Sequence, residues 1–531
     1  MRRVGDLLPM RGGAGRKPVT RLVGFLVCTV PGLLALALAL PSVSLSFLMD
    51  DSYDLIMARR SSYQELLLAP VPGSSYYRPL SFVLFKVVAD LRGGTEPWQY
   101  RTLAVLLHAV NALLLAAIVR RFAGSLAALA SGVLFATFPF AYQALQVVGA
   151  LPHVLVTTCF LAGALAWSIG GTRPARRASP WYALAAAAAT LAPGFHETGA
   201  LSGALLLLLS AARGRVVNRE SLSALPWILV ALVADLAAVW AWFWGLDKPD
   251  ARPATPIDRL ENVAFWLQAA AYPVTRQLAL LFDAAWLARH AWMAVAAAAL
   301  GGLGVALAVS WRGGRVRLAA CTLLLGFLVF VPAILFLPYR GYVEDGPRLL
   351  YPATPAVAAF WGLLPAAALR WRRARRLAIA ATSCLLGVAV LQGAAFVVRR
   401  TELAQRASAA QEAVVAVARS NPGRPLLVVN GPAWLALHRY EYPLGHYGVV
   451  AQPPYHGYDA LLEARLGRRQ PVLSLAVEPS RSLPEWTYWP HGRPGTRAEL
   501  AALRYSGWLV VRLEPDEARD FWRREDGWAS G

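Results

Sequence analysis

Apolar stretches long enough to cross a bilayer recur along this chain, separated by short connections that carry most of its arginines. Candidate spans fall at 22–40, 99–119, 124–140, 152–170, 180–194, 198–212, 223–245, 289–311, 318–338, 349–369 and 376–398, about eleven in all. The pattern predicts an all-α polytopic membrane protein. After about residue 399 the texture changes to a polar helix and then short apolar strands, at 425–430, 471–477 and 507–513, which predict a small α/β domain over 399–531.

The arginines assign the sides. Alternate connections carry Arg120–Arg121, Arg173/Arg176/Arg177, Arg213/Arg215/Arg219, Arg312/Arg315/Arg317 and the cluster from Arg370 to Arg376. By the positive-inside rule these lie on the cytoplasmic side with the basic N-terminus, residues 1–21. The first outer loop is then 41–98, followed by 141–151, the His196 region, 246–288 and 339–348. An odd number of spans places the C-terminal domain outside the cell membrane. The apolar segment 261–283 would reverse the later arginine clusters if it crossed, so it is expected to lie on the outer face as a helix pair broken at Pro273.

Composition agrees with this class: 57% of residues are hydrophobic and only 16% charged. A net charge of +21 raises nucleic acid as a partner, but the arginines follow topology and not one basic face. Cys28, Cys159, Cys321 and Cys384 lie inside apolar runs, so none is placed for a loop disulfide or a metal site. No internal repeat is visible, which weakens a secondary-transporter reading.

Candidate chemistry concentrates in the first outer loop, where Met49-Asp50-Asp51-Ser52-Tyr53-Asp54 follows the first span. Adjacent carboxylates raise each other's pKa or bind a cation, and one of them can take a proton from a hydroxyl. The bland alternative is an acidic turn capping the next helix. Within the membrane, His108 and Asn111 share a helix face and suit interhelical hydrogen bonds. Asp235 stands alone in its span, which favours a neutral, hydrogen-bonded carboxyl over a proton path. Trp434, Trp486, Trp489, Trp508, Trp522 and Trp528 suit core packing of the C-terminal domain better than sugar stacking.

Several segments in order resemble the GT-C superfamily of membrane glycosyltransferases, in particular its protein-O-mannosyltransferase-like and bacterial polyprenyl-phosphate-sugar-dependent branches. They are the acidic pair, Tyr76-Tyr77-Arg78-Pro79-Leu80-Ser81, Leu106-Leu107-His108-Ala109-Val110-Asn111, Phe138-Pro139 with Gln143, Phe195-His196-Glu197-Thr198, and Arg348-Leu349-Leu350-Tyr351-Pro352. The resemblance covers roughly residues 20–370. It implies transfer of a sugar, with inversion, from a polyprenyl-phosphate-linked donor to an outer-face lipid, polysaccharide or protein hydroxyl. Asp50 or Asp51 would then be the general base, and Arg348, Arg78 and His196 the ligands of the donor phosphate. Glu197, Tyr351 and Gln143 would support them.

This sequence departs from the family pattern at three of those places. His196 stands where a lysine is usual beside the glutamate, which would make donor binding depend on histidine protonation. Gln143 replaces an acid, so a divalent cation is not indicated and no cofactor beyond the lipid-linked donor is implied. Pro347 precedes Arg348 where an acid is common, leaving Glu344 or Asp345 as substitutes.

Other readings are a transporter or flippase for a lipid-linked substrate, an O-antigen-ligase-like enzyme with a diphosphate-linked donor, and a non-catalytic GT-C-like scaffold. The ligase-like enzymes carry their long loop late in the chain, whereas here the first outer loop is the long acidic one.

Overall fold

The computed structural model describes residues 18–70, 77–212, 223–245, 255–281, 296, 298–304, 306, 314–335, 337, 342–369, 375–438, 442, 448–453, 456–477, 481–482, 486–515 and 522–524. Most of the basic N-terminus, Tyr76, the Arg213–Arg219 connection, much of the 289–311 span, Arg312, most of the Arg370–Arg376 cluster and Trp528 lie outside the described residues.

The membrane half is helical. Helix α1 spans Pro18–Ala39, and three amphipathic or short helices build the first outer loop: α2 (Asp51–Arg60), α3 (Tyr63–Leu68) and α4 (Pro79–Arg92). There follow α5 (Trp98–Ala123), α6 (Ser125–Ala136), α7 (Tyr142–Gln146), α8 (Leu151–Gly170), α9 (Ala175–Phe195), α10 (Ser202–Ala212) and α11 (Leu225–Gly245). Then come α12 (Pro256–Leu267), α13 (Tyr272–Leu281), α14 (Gly314–Leu328), α15 (Thr354–Gly362) and α16 (Arg375–Ser420).

Among the described residues five helices are long and apolar enough to cross a membrane, or six if the bent unit of α6 with 139–146 counts as one span. This makes the chain a multi-pass membrane protein; the expected count of about eleven crossings is not confirmed, because much of the 289–311 span and parts of other apolar segments lie outside the described residues.

One further expectation changes. The segment 261–283 is indeed a helix pair, but its break is the 3-10 turn Gln268–Ala271, and Pro273 instead occupies the first turn of α13. A proline there lacks only an amide that the helix would leave unpaired, so it starts the helix and does not interrupt it. Helix α16 runs unbroken for 46 residues across position 399, from the last apolar segment into the C-terminal domain.

Small residues let the helices of the bundle approach. Gly132 of α6 faces Pro31 of α1, and a Cβ at 132 would sit 2.6 Å from the proline ring. Polar groups inside the bundle find partners. Asp235 accepts from Ser202 Oγ (3.0 Å) and the Gly203 amide (2.7 Å), joining α11 to α10. His108 Nδ1 lies 2.7 Å from the Tyr351 hydroxyl, and Asn111 Nδ2 donates to Val154 O (3.3 Å) and to the Tyr351 hydroxyl (3.4 Å). Both residues of the sequence pair on α5 thus serve as interhelical ties.

Beyond α16 the chain forms two sheets. Strands β1 (Leu426–Val429), β2 (Pro432–Leu437), β3 (Val449–Val450), β4 (Val472–Ala476), β5 (Arg481–Ser482), β6 (Trp486–Pro490), β7 (Arg493–Pro494), β8 (Leu509–Pro515) and β9 (Trp522–Arg524) pair in the orders β7-β4-β1-β8-β9 and β3-β2-β6-β5. The fully buried β1 sits centrally, parallel to β4 and β8, with Leu427 opposite Leu473 and Val510. An unbroken apolar run is what a strand covered on both faces requires. Helix α17 (Tyr458–Leu466) lies between β3 and β4 in sequence and packs on α2 and α16. Trp486 is buried in this domain while Trp489 is 44% exposed, so not every tryptophan belongs to its core.

The first outer loop is fastened to this frame by a buried ion pair. Arg101, on the first turn of α5, is 1% exposed, and its Nη2 lies 3.3 Å from Asp51 Oδ2. The same guanidinium donates to the carbonyls of Leu45 (3.1 Å), Ser46 and Gln146, so one planar fork ties α5 to the end of α1, to α2 and to α7. Breaking a buried pair leaves an uncompensated charge, at a cost of about 3–5 kcal/mol. Arg101→Ala is therefore expected to lower the unfolding midpoint of the detergent-solubilised protein sharply, and Arg101→Lys to restore it only in part, since a single ammonium cannot span these acceptors. A thermal melt of Arg101→Ala that overlays the wild type would remove this fastening role.

Candidate active site

The acidic pair divides into two unlike carboxylates. The chain enters it through Met49 at φ 53, a left-handed conformation uncommon for a side-chain-bearing residue. Asp51 then begins α2 with its side chain fully buried. Its Oδ2 accepts from the Leu48 amide (2.9 Å) and its Oδ1 from the Gly149 amide (2.9 Å). Gly149 lies close against the acids: a Cβ there would come within 2.8 Å of Asp54 Oδ2, so that carboxylate would have to shift. Burial pushes the Asp51 carboxyl up to about 6, against the opposing pull of Arg101 and of the amides of Gly149, Leu48 and Val148.

Asp50 is different. It occupies the N-cap position of α2, yet its side chain makes no cap hydrogen bond, and it is 36% exposed. The simple capping account of the acidic turn therefore does not describe it. Of the two adjacent acids, Asp50 is the one that solvent and a second molecule can reach.

A polar cluster continues from this turn toward the cations singled out in the sequence. Gln143 Nε2 lies 3.7 Å from Met49 Sδ, and its Oε1 accepts from the Arg348 backbone amide (3.3 Å) and from Arg348 Nη1 (3.1 Å). Gln143 thus orients Arg348 through its side-chain amide oxygen. The side chains of Glu344 and Asp345, the expected alternatives, lie outside the described residues.

Arg78 precedes α4 and forms a forked pair with Glu197: Nε is 2.9 Å from both carboxylate oxygens and Nη2 is 2.8 Å from Oε2. Ser81 Oγ donates to Phe195 O (2.9 Å) and holds the two segments together. Arg78 is thus a positive partner of Glu197.

His196 is buried, and its Nδ1 accepts from the Thr198 amide (3.1 Å), which leaves the proton of a neutral ring on Nε2, 3.3 Å from Glu197 Oε2. Burial, then Arg78 and Arg348, hold its pKa well below the ordinary histidine value. Among the described residues Nε2 has no hydrogen-bond partner. Tyr351 does not reach this cluster, since its hydroxyl is engaged with His108 and Asn111. It anchors the turn Pro347–Ala353 that carries Arg348.

The structure adds residues that the sequence reading passed over. His153, at the start of α8, is buried with its ring 4.0 Å from that of His196, and its Nδ1 has no hydrogen-bond partner. A lone histidine opening an apolar span was the available signal for it, as a lone arginine was for Arg101. His456, in the C-terminal domain, stacks on Tyr53 (4.7 Å between centroids, 15° between planes) and brings Nε2 to 4.0 Å from Asp50 Oδ1. Nothing local in the sequence marks it.

The two buried titrating groups predict opposite pH dependences. Asp51 keeps its proton to about pH 6 in the folded chain but loses it near 3.8 when unfolded, so it adds stability as pH falls from about 6 to about 4. His196 stays neutral when folded but takes a proton near 6.5 when unfolded, so it subtracts stability as pH falls below 6.5. In melts of the solubilised protein across pH 4–7, Asp51→Asn should lose stability on acidification more steeply than wild type, and His196→Gln less steeply. Parallel curves for all three proteins would contradict both assignments.

No family model and no curated protein matches this chain. Among solved structures it is similar to ArnT from Cupriavidus metallidurans in the apo state, at 13% identity and a TM-score of 0.48, covering 95% of this chain and 98% of that one. It is also similar to ArnT from the same organism bound to undecaprenyl phosphate, at 13% identity and a TM-score of 0.45 over 85% and 86%. A third similar structure is the Archaeoglobus fulgidus oligosaccharyltransferase in complex with Zn and sulfate, at 12% identity and a TM-score of 0.47, covering 84% of this chain and 62% of that one.

Proposed function

We propose that this protein is an integral membrane glycosyltransferase that moves a sugar from a polyprenyl-phosphate-linked donor to a hydroxyl of an extracytoplasmic lipid, glycan or protein. The observation that carries the reading is the pairing of one accessible carboxylate, Asp50, on a loop clamped from below, with the Gln143–Arg348 arm that begins at the neighbouring Met49.

In this reading Asp50 takes the proton of the acceptor hydroxyl as its oxygen attacks the anomeric carbon from the face opposite the phosphate. The bond from that carbon to the phosphate oxygen breaks, and its electron pair leaves on polyprenyl phosphate. Arg348 meets the charge that develops on the leaving phosphate, with Arg78 and the neutral His196 N–H completing the donor set. Asp51 stays out of the chemistry and holds the loop. Glu197 and Gln143 orient the two arginines, and Tyr351 fixes the turn under Arg348. The reading assigns phosphate neutralisation to these arginines and calls on no divalent cation.

A transporter reading loses its best residue, because both carboxylate oxygens of Asp235 are taken up by Ser202 and Gly203.

Membranes containing the protein, offered radiolabelled polyprenyl-phosphate hexoses and pentoses, should transfer label to an outer-face acceptor. Asp50→Asn is expected to lower transfer by about 100-fold or more while retaining donor binding. Arg348→Ala should lower transfer by a similar factor and weaken donor binding as well. If Asp50→Asn transfers at the wild-type rate, the assignment of the base is wrong; if wild type consumes no donor, the transferase reading is.

A further inference from the structure

Resting on the transferase reading, we propose that the C-terminal domain is part of the active site: His456 is a positioning residue that holds the Asp50 carboxylate in the orientation needed to take the acceptor proton. The juxtaposition is specific. His456 lies 406 positions along the chain from Asp50, yet its Nε2 comes to 4.0 Å from Asp50 Oδ1, within reach of a hydrogen bond after a small side-chain rotation. Its ring lies flat on Tyr53, which belongs to the same first turn of α2 as Asp50 and Asp51. The stack fixes the plane in which the nitrogen approaches.

The backbone that carries His456 is itself held. Its carbonyl accepts from Gln452 Nε2 (2.8 Å) and faces His491 Nε2 at 3.1 Å, while Gln452 also donates to Gly457 O (3.0 Å). The His456 amide donates to Pro453 O (3.2 Å), closing the turn. Gln411 of α16 donates to Ala451 O (2.8 Å), so the turn is referred to the long helix and, through it, to the membrane half. Helix α17 of the same domain is docked on α2, on α16 and on the segment before α5 by polar contacts: Arg59 Nη1 donates to Ala464 O (2.8 Å), Arg60 pairs with Glu463, and Arg465 pairs with Glu412 (2.7 Å) and Glu96 (3.3 Å). Every rigid connection needed to place one imidazole against one carboxylate is present.

Misplacement of a reacting group by about 1 Å costs about 100-fold in rate. His456 brings a restraint on Asp50 from the C-terminal domain. The acceptor would then enter between the first outer loop and the C-terminal domain, where its hydroxyl meets an oriented base.

His456→Phe tests the role, because phenylalanine keeps the ring on Tyr53 and removes the nitrogen. With the polyprenyl-phosphate sugar that wild type uses, this variant should lose about tenfold or more in kcat, with the donor KM and the melting temperature unchanged. His456→Gln, which can return an N–H toward Asp50, should recover part of the loss. In an Asp50→Asn background His456→Phe should have no further effect, since both changes act on the same group. Wild-type kcat in His456→Phe, or a loss that simply multiplies with that of Asp50→Asn, would overturn the role of His456 and leave the transferase reading standing. Absence of transfer by wild type would overturn both.

Discussion

Asp51 and Arg101 form a charged pair sealed from water, and the arrangement of the acidic loop depends on it. Neither group would be stable there alone: each gives up hydration, and the compensation comes from a fork of guanidinium hydrogen bonds and from two backbone amides directed at the carboxylate. Because the acceptors of Arg101 come from three separate elements, the pair sets where the end of α1, the start of α2 and the turn after α7 meet. Asp50 inherits its position from that junction. The adjacent acids are thus unequal by construction, one used up in holding the loop and the other left facing outward.

The same economy runs through the rest of the cluster. Arg348 is oriented by an amide, Arg78 by a carboxylate, and His196 by a backbone N–H, so each potential phosphate ligand has a neighbour that fixes it without fully neutralising its neighbourhood. Deeper in the membrane the logic reverses. Asp235, His108, Asn111 and Tyr351 satisfy one another or the backbone, and they bind helices together instead of facing a second molecule.

How far the sequence alone revealed this follows from the range of the interactions. The multi-pass character, the acidic turn after the first helix and three of the strands were legible because hydrophobic runs and adjacent charges are local signals. The buried partner of Asp51 was not, since Arg101 lies 50 positions along the chain. Nor was the difference between Asp50 and Asp51, which is decided by Arg101 and Gly149, about 50 and 100 residues away. Pro273 was misplaced because a proline disrupts a helix only beyond its first turn, and where that turn begins is settled by tertiary packing. The long reach of His456 to Asp50 left no local trace at all.

Helix α16 carries a consequence of its own. At 46 residues it is about 70 Å long, more than twice the thickness of a hydrocarbon core of about 30 Å, and it has no flexible joint between its apolar half and the half that seats the C-terminal domain. Such a rod transmits rotation as faithfully as height. A single residue inserted between 400 and 420 would turn everything beyond it by about 100° and lift it by about 1.5 Å, swinging the C-terminal domain off the outer loop. Chain length in that stretch is therefore under tighter geometric constraint than residue identity on its exposed face, the opposite of what holds for ordinary interdomain linkers.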